Sequence, residues 1–318
     1  MGLYSMARRF NFNSELTMVI ILIGMILLFF FIQPSLLSEQ NLENVGRQAS
    51  VLSVLACGQL FAILVGGIDL SLGSIIGLTS VIAAKGVLAW GLGWGLLAGI
   101  LVGVVLGATN GMLISHYRMP AMIVTLAMLY FARGIALIIA GGMPVERLPS
   151  AFGILGKGSM LGIPNPVFIA IAAFVVCGFV LKFTRLGRAF YAIGGVEETS
   201  YLAGIRVERV KVAAYALSGA SAGLAGIILS SRLSSGQPNL GDGLEFEAIA
   251  AVVIGGARLG GGKGGIRGTL LGVLFLAILA NGLNLARVSS FTQMIVIGCV
   301  LIITMIVDRF RAPASRVA

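Results

Sequence analysis

Long apolar runs separated by short polar intervals dominate the chain, and their lengths predict membrane-spanning helices. A bilayer core about 30 Å thick needs about 20 apolar residues in helical form to cross it. Ten such runs cover residues 16–34, 47–66, 69–85, 88–110, 121–140, 166–183, 212–230, 246–257, 268–285 and 293–307. The third, eighth and tenth runs are short or interrupted by glycine, so we expect broken or re-entrant helices among them.

The first apolar run follows Arg8 and Arg9, an arrangement that also occurs in secretory signal peptides. The run from Met18 to Ile32 is longer than a signal-peptide core, and the residues that follow it lack the small side chains of a cleavage site. We therefore expect a retained first helix.

Composition supports a membrane protein and excludes most other classes. Hydrophobic residues make up 58% of the 318 positions, charged residues make up 11%, and the mean hydropathy is +1.03. A soluble chain carries about 25% charged residues, so this chain has too few polar groups to cover a water-exposed surface or to stay disordered. Cys57, Cys177 and Cys299 lie far apart in apolar runs, which favours core residues over a disulfide or a metal site.

The formal net charge of +10 arises from basic loops between the spans, which predict the orientation of the chain in the membrane. Basic loops of this kind explain the positive charge without binding of nucleic acid. With ten crossings and an inner N-terminus, fifteen Lys and Arg residues fall in inner segments and six in outer ones, while Arg133 lies within a span. The inner set is Arg8, Arg9, Arg118, Lys182, Arg185, Arg188, Arg206, Arg209, Lys211, Arg258, Lys263, Arg267, Arg309, Arg311 and Arg316. Positive charge concentrates on the cytoplasmic side, so we expect both termini to be cytoplasmic.

No interval between spans is long enough for a separate soluble domain, so we expect residues 1–318 to form one transmembrane domain. The largest inner interval is 184–211. A weak internal repeat is visible, because residues 66–73 (GGIDLSLG) and 255–262 (GGARLGGG) both fit GGxxLxxG, although chance is an alternative in a chain with 45 glycines. The expected fold is an all-α integral membrane protein with about ten transmembrane helices.

Two charged residues in the apolar regions are candidates for function. Asp69 lies between two runs, and an acid within the membrane is costly enough to suggest a functional role. The structural alternative is that Asp69 or Ser71 accepts backbone N–H groups at the start of the third helix. Arg133 lies in mid-span, where its side chain would extend to an interface or pair with a carboxylate of another helix. Structural pairing is favoured over contact with a substrate.

Neutral polar residues lie in or near other spans. They are Gln59, Asn110, Asn281, Asn284 and Gln293. Each one is suited to a hydrogen bond with a neighbouring helix, which is the favoured interpretation. The alternative is that Asp69, Asn110, Gln59, Asn281 and Asn284 line or gate a translocation path, since amides and hydroxyls would suit a neutral polyhydroxylated solute.

In the inner interval 184–211 we expect Gly194 and Gly195 to interrupt the chain and a short helix to follow them. Glu197 and Glu198 would occupy its first turn, where the helix dipole favours acids, and Gly204 would end it. Such a helix suits contact with a soluble partner, and the alternative is a solvated loop.

Motifs of catalysis and nucleotide binding are absent or misplaced. Residues 260–265 (GGGKGG) fit GxGxxG without a strand–turn–helix context, and the same stretch departs from the phosphate-binding loop. The single His116 excludes a histidine-based zinc site or triad. We therefore expect no catalytic or metal-binding residues and no cofactor held by this chain.

Taken together, several segments resemble the permease subunits of bacterial monosaccharide ABC importers of the ribose type. The segments are GGIDLSLGS (66–74), RLGRAFYAIGG (185–195), LAGI (202–205), LSSGQP (233–238), EFEAIAAVVIGGARLGGGKG (245–264) and NGLNL (281–285). The resemblance covers nearly the whole chain. It departs from the family at Val196, Glu247 and Arg258, where Asn, Asp and Ser or Thr are usual.

This resemblance implies a multi-pass protein of the bacterial inner membrane that pairs with a second permease copy amid membrane lipid. It also implies a cytoplasmic ATPase subunit, which would bind ATP and Mg²⁺, and a periplasmic sugar-binding protein. The interval 187–205 is similar to the segment that docks on the ATPase, which would give Arg188, Gly194, Gly195, Glu197, Glu198, Leu202 and Gly204 a coupling role. The alternative function is an ion-coupled secondary transporter that uses Asp69, and the particular sugar stays open.

Overall fold

Thirteen helices lie in residues 14–311, the part of the chain described by the computed structural model. In chain order they are α1 (Ser14–Ile32), α2 (Glu39–Leu64), α3 (Leu72–Trp90), α4 (Leu92–Ser115), α5 (Ala121–Ala140), α6 (Ile154–Lys157), α7 (Asn165–Phe183), α8 (Arg185–Gly195), α9 (Glu197–Leu202), α10 (Val207–Leu233), α11 (Leu244–Ile254), α12 (Ile266–Leu285) and α13 (Ser290–Arg311). Two short strands, β1 (Ser159–Met160) and β2 (Ile163–Pro164), pair antiparallel. Arg8, Arg9 and Arg316, three of the basic residues expected on the inner side, lie outside the described residues.

The prediction of an all-α membrane protein is confirmed. Eight helices of the described chain, namely α1 to α5, α7, α10 and α12, are long and apolar enough to cross a membrane. The eighth predicted run is the short helix α11, as expected, whereas the third run was wrongly expected to be short. It forms α3, which continues past Lys85 to Trp90, because the Lys85 ammonium leaves the apolar surface and donates to the Ile139 carbonyl.

The long helices run in both directions, and their termini form two ends of the bundle. At the end that carries α8 and α9, called the α9 end below, Val65–Gly67, Ile114–Ala121 and the start of α10 surround one cavity. At the opposite end, the Arg47 guanidinium in the third turn of α2 donates to the Gly156 and Lys157 carbonyls of α6 at 3.1 and 2.9 Å. Each end therefore brings together segments that are far apart in sequence.

The closest helix packing joins α4 to α10, where glycine removes the side chains between the two backbones. The buried face of α4 carries a glycine at every fourth position: Gly95, Gly99, Gly103, Gly107 and Gly111. A Cβ at Gly103 would overlap the Gly219 carbonyl, and a Cβ at Gly107 would overlap the Tyr215 carbonyl. Such close approach lets helices associate through van der Waals contact where lipid offers no hydrophobic driving force.

The weak internal repeat corresponds to the same type of C-terminus on two helices, α2 and α11. The structurally equivalent residues are shifted by one position from those that the sequence motif aligns. Gly66 follows α2 with φ of +85°, and Gly256 follows α11 with φ of +89°. The next residues donate equivalent hydrogen bonds, Gly67 to the Ala62 carbonyl at 3.0 Å and Ala257 to the Val252 carbonyl at 3.1 Å. The motif paired Gly66 with position 255, which was wrong because the left-handed conformation falls on the second glycine at 256.

We expect Gly107→Ala to lower the thermal stability of the purified protein in detergent. The added methyl group would overlap the Tyr215 carbonyl, and overpacking of this kind costs about 1–3 kcal/mol. Gly134→Ala in α5 is the matched control, since a methyl group there meets no heavy atom within 4 Å. Thermal unfolding midpoints measure the difference, and equal midpoints for the two variants would contradict the close contact between α4 and α10.

Candidate functional site

A fully buried polar cluster surrounds Asp69 on the non-helical segment 65–71 between α2 and α3. The Ser71 backbone N–H and hydroxyl donate to Asp69 Oδ1 at 3.0 and 2.5 Å. The Ser218 hydroxyl of α10 donates to Asp69 Oδ2 at 2.8 Å. Of the two alternatives expected, Asp69 is the residue that accepts a backbone N–H just before α3. Ser71 occupies the N-cap position, but its hydroxyl donates to Asp69 and makes no cap hydrogen bond.

Gln59 and Asn110 complete this cluster from α2 and α4. In the amide orientation that satisfies both backbone groups, Gln59 donates to the Asp69 carbonyl at 3.1 Å and accepts from the Asp69 N–H at 3.3 Å. The Asn110 amide donates to the Ser71 hydroxyl at 2.9 Å. Three of the five candidate path residues are therefore brought together, and they join α2, α4 and α10 to the start of α3.

The other two candidates, Asn281 and Asn284, lie elsewhere on α12. Asn281 and Asn41 exchange two amide hydrogen bonds of 2.9 Å between α12 and α2. Asn284 is exposed and accepts from the Gln293 amide at 2.9 Å. These contacts join helices, and they place both residues apart from the Asp69 cluster.

Tyr215, Ser218 and Glu245 were missed by sequence reasoning. The Tyr215 hydroxyl, the Asn110 carbonyl oxygen and Glu245 Oε2 are buried without a hydrogen-bond partner in the described part of the chain. Ser218 lies among small residues of α10 that give no signal of function, whereas Glu245 was detectable as an acid at the start of an apolar run. The polar interior is therefore larger than the set of candidates taken from the sequence.

Arg133 pairs with a carboxylate, as expected, but the partner is in a loop and not in another helix. Its guanidinium contacts the Asp242 carboxylate and the Pro238 carbonyl, both in the segment 234–243 that precedes α11. The expected helix–helix pair is wrong because the chain after α10 runs back along α3 before it becomes helical again at Leu244.

The predicted short helix after the glycine pair is confirmed as α9, with Glu197 and Glu198 in its first turn. Gly204 has φ of +82° and follows its C-terminus. Gly194 and Gly195 were wrongly expected to interrupt the chain, because both belong to α8 and the change of direction occurs at Val196. Val196 adopts an extended conformation and offers no side-chain cap.

A junction of glycines joins α8 to the two loops of the internal repeat. The Gly262 N–H donates to the Leu64 carbonyl at 3.1 Å, and a Cβ at Gly194 would overlap both of these groups. A Cβ at Gly261 would lie 2.9 Å from the Gly66 Cα. Three backbones therefore meet at this junction, because none of them carries a side chain there.

Aromatic side chains support the same junction from α8. The Tyr191 hydroxyl donates to the Gly264 carbonyl at 3.0 Å. The Phe190 side chain is fully buried, and its ring lies 5.6 Å from the ring of Phe61 in α2. A displacement of α8 must therefore move the ends of α2 and of the loop before α12, or break these contacts.

Apolar side chains are exposed on α9 and on the residue before it. Val196, Tyr201 and Leu202 are 54%, 71% and 79% exposed. Glu198 is exposed beside them, and Arg188 is exposed on α8. Glu197 is tied to α10 by an ion pair with Lys211 at 2.7 Å. The short helix is thus fixed on one side and presents apolar side chains on the other.

A cavity of about 1180 Å³ lies between α9, the start of α10 and the loop that joins α4 to α5. Charged side chains of both signs line it, among them Arg118, Arg206, Arg209, Glu198 and Glu208. The described residues hold no group of three or more metal-ligating side chains. The GGGKGG stretch forms part of the loop between α11 and α12 and not a strand-to-helix turn, so the phosphate-loop interpretation has no structural support.

Comparisons with known proteins give a consistent result. The family described as "Branched-chain amino acid transport system / permease component" matches residues 41–305. Ribose import permease protein RbsC of Bacillus subtilis (strain 168) is 42% identical over 309 residues, which cover 95% of this chain and 96% of that protein. No solved structure matches the chain.

Two further relatives come from Escherichia coli (strain K12). Its ribose import permease protein RbsC is 42% identical over 283 residues, covering 87% of this chain and 88% of that protein. Its L-arabinose transport system permease protein AraH is 38% identical over 284 residues, covering 89% and 87%. The resemblance to monosaccharide permeases is therefore confirmed over nearly the full chain, and this protein belongs to the branched-chain amino acid transport system / permease component family.

Proposed function

We propose that this chain is the membrane-spanning subunit of an ATP-driven importer and forms the path for ribose or a related monosaccharide by alternating access. The observation that carries the proposal is the 42% identity to a ribose import permease over 95% of the chain. A cytoplasmic ATPase that binds ATP and Mg²⁺, a periplasmic sugar-binding protein and a second permease copy are the partners that this function requires.

The proposed orientation places the α9 end in the cytoplasm of a bacterium and both termini on the same side of the inner membrane. Basic side chains concentrate at that end, including Arg118, Arg188, Arg206, Arg209 and Lys211. Positive charge favours the cytoplasmic side. The exposed apolar surfaces of α1, α4 and α7 are suited to membrane lipid.

The segment 184–211 is the proposed coupling segment, and its geometry supports transmission of movement. The exposed apolar residues of α9 suit a groove of the ATPase, with Glu198 and Arg188 near them. The junction formed by Gly194, Gly262 and Leu64 transfers a displacement of α8 to α2 and to the loop before α12. A transport cycle needs two alternative packings of the same helices, and a displacement passed on through this junction would favour one of them.

The test of this function is import in a reconstituted system. The chain, purified from its native membrane with whatever subunits accompany it, is placed in liposomes with ATP inside and with ribose and a binding protein outside. ATP-dependent ribose accumulation, together with a co-purified ATPase, supports the proposal. Uptake that needs a proton gradient and no ATPase would overturn it in favour of a secondary transporter.

We expect Leu202→Ser to weaken co-purification of the ATPase about tenfold without a change in membrane insertion. Loss of one buried apolar anchor at an interface costs about 1–2 kcal/mol. Leu161→Ser is the matched control, because Leu161 is 91% exposed and lies in the β1–β2 hairpin, away from the α9 end. An equal amount of ATPase recovered with both variants would contradict the assignment of α9.

Substitution of Asp69 separates the structural role from the ion-coupled alternative. Both Asp69 carboxylate oxygens accept hydrogen bonds and no surface of the residue is exposed, which disfavours a site that exchanges ions with water. We expect Asp69→Asn to keep folding and ATP-driven uptake within about twofold, since the amide oxygen still accepts from Ser71. Asp69→Ala should lose about 1–3 kcal/mol, because two hydroxyls are left without an acceptor.

Unfolding midpoints and ribose uptake in liposomes measure both variants. Complete loss of uptake in an Asp69→Asn complex that assembles and unfolds like the unsubstituted protein would show that an ionisable group is needed at this position.

A further inference from the structure

The segment 234–243 runs along α3 without forming a helix. Its Gly236 packs against Ser80 and Ala84 of α3, Pro238 packs against Gly77, and Gly241 packs against Gly73. These contacts follow α3 from Ala84 almost to its first residue, Leu72, which is a distance of about 17 Å along the helix axis. The segment therefore lies alongside a membrane-spanning helix over much of its length.

Non-helical backbone at membrane depth is tolerated only where it is buried in protein or lines a water-filled cavity. Some backbone N–H and C=O groups of this segment form hydrogen bonds with side chains of α3 and α5. The Ser80 hydroxyl donates to the Gln237 carbonyl at 2.9 Å and accepts from its N–H at 3.1 Å, and Arg133 donates to the Pro238 carbonyl. These contacts hold one side of the segment against α3 and α5.

The other side of the segment presents charge. The Asp242 side chain is 69% exposed, while the Arg133 side chain that pairs with it is 14% exposed. Arg133 lies seven residues before the end of α5 at Ala140, which is about 10 Å along the helix axis. A carboxylate exposed at this depth would be costly against lipid, so this face must meet water or polar protein.

Two neighbouring residues extend the same face. Asn239 is exposed, and so is the aromatic ring of Phe246 in the first turn of α11. Glu245 lies between them in the chain, is only 5% exposed, and its Oε2 has no hydrogen-bond partner in the described residues. A buried carboxylate oxygen without a donor is costly, and a ligand hydroxyl is one group that would satisfy it.

We propose that Arg133, Asn239, Asp242, Glu245 and Phe246 form the wall of the sugar path, called the polar wall below. This inference rests on the proposed function. A neutral polyhydroxylated sugar donates hydroxyl hydrogens to the carboxylates, accepts from the guanidinium, and covers the Phe246 ring with its C–H face. Hydrogen bonds that involve charged groups are the stronger ones, so a few such groups can replace water around a neutral solute.

Cysteine accessibility tests whether the polar wall faces water. Asn239→Cys is the main variant, because it leaves the Arg133–Asp242 ion pair intact, and it is made together with Cys299→Ala. The unsubstituted chain is the control, since its Cys299 is exposed within the apolar helix α13. Both proteins are reconstituted with their partner subunits and treated with a membrane-impermeant, charged thiol reagent.

We expect Cys at position 239 to react at least tenfold faster than Cys299, and ribose delivered by the binding protein to slow that reaction severalfold. Equal rates at the two positions would overturn the proposal, since the wall would then be covered by lipid or by a second copy of the chain. Fast labelling that ribose does not slow would also overturn it, because the wall would be wet without contacting the sugar.

Uptake by the unsubstituted chain separates this inference from the proposed function. ATP-driven ribose uptake combined with an unreactive position 239 would contradict the polar wall and leave the proposed permease function standing. Absence of ATP-driven uptake of any monosaccharide by the unsubstituted complex would remove the function itself, whatever the labelling rates. Asp242→Cys provides a second position on the same face and is expected to give the same pattern of labelling and protection.

Discussion

Close approach of backbones at glycine is the contact on which the rest of this structure depends. In lipid, helices gain little from burying apolar side chains against each other, so association relies on van der Waals contact and on a few hydrogen bonds. The glycines of α4 allow α10 to approach until carbonyl groups and Cα atoms touch. That contact sets the position of α10, and α10 in turn supplies Ser218 and Tyr215 to the centre of the bundle.

Close backbone contact at glycine occurs a second time, at the α9 end. Gly194, Gly261 and Gly262 bring α8 against the ends of α2 and the loop before α12. Because these backbones touch directly, a displacement of α8 would have to move its neighbours or break the contacts between them. The polar cluster around Asp69 lies on the segment 65–71 that follows α2, and its hydrogen bonds hold the start of α3 in place.

Sequence reasoning succeeded where a local pattern has a local cause. The apolar runs predicted nearly every long helix, and the residues 196–204 predicted α9 and the role of Gly204 at its end. It was less successful where the partner is distant. Arg133 was expected to pair with an acid, yet only the fold brings Asp242 to it. The glycines at every fourth position of α4 are visible in the sequence, but their spacing alone did not show which helix packs against them.

By itself, the sequence determined the class of protein, the approximate spans, the family and the position of the short helix α9, because these follow from hydropathy, charge distribution and contiguous motifs. Only the tertiary structure decided which polar residues meet. It gathered Asp69, Gln59 and Asn110 into one cluster and placed Asn281 and Asn284 elsewhere, and it laid the segment 234–243 against α3. The physical reason is that hydrogen bonds and ion pairs depend on distances of a few ångströms between elements, and these distances are set by helix packing and not by the spacing of residues along the chain.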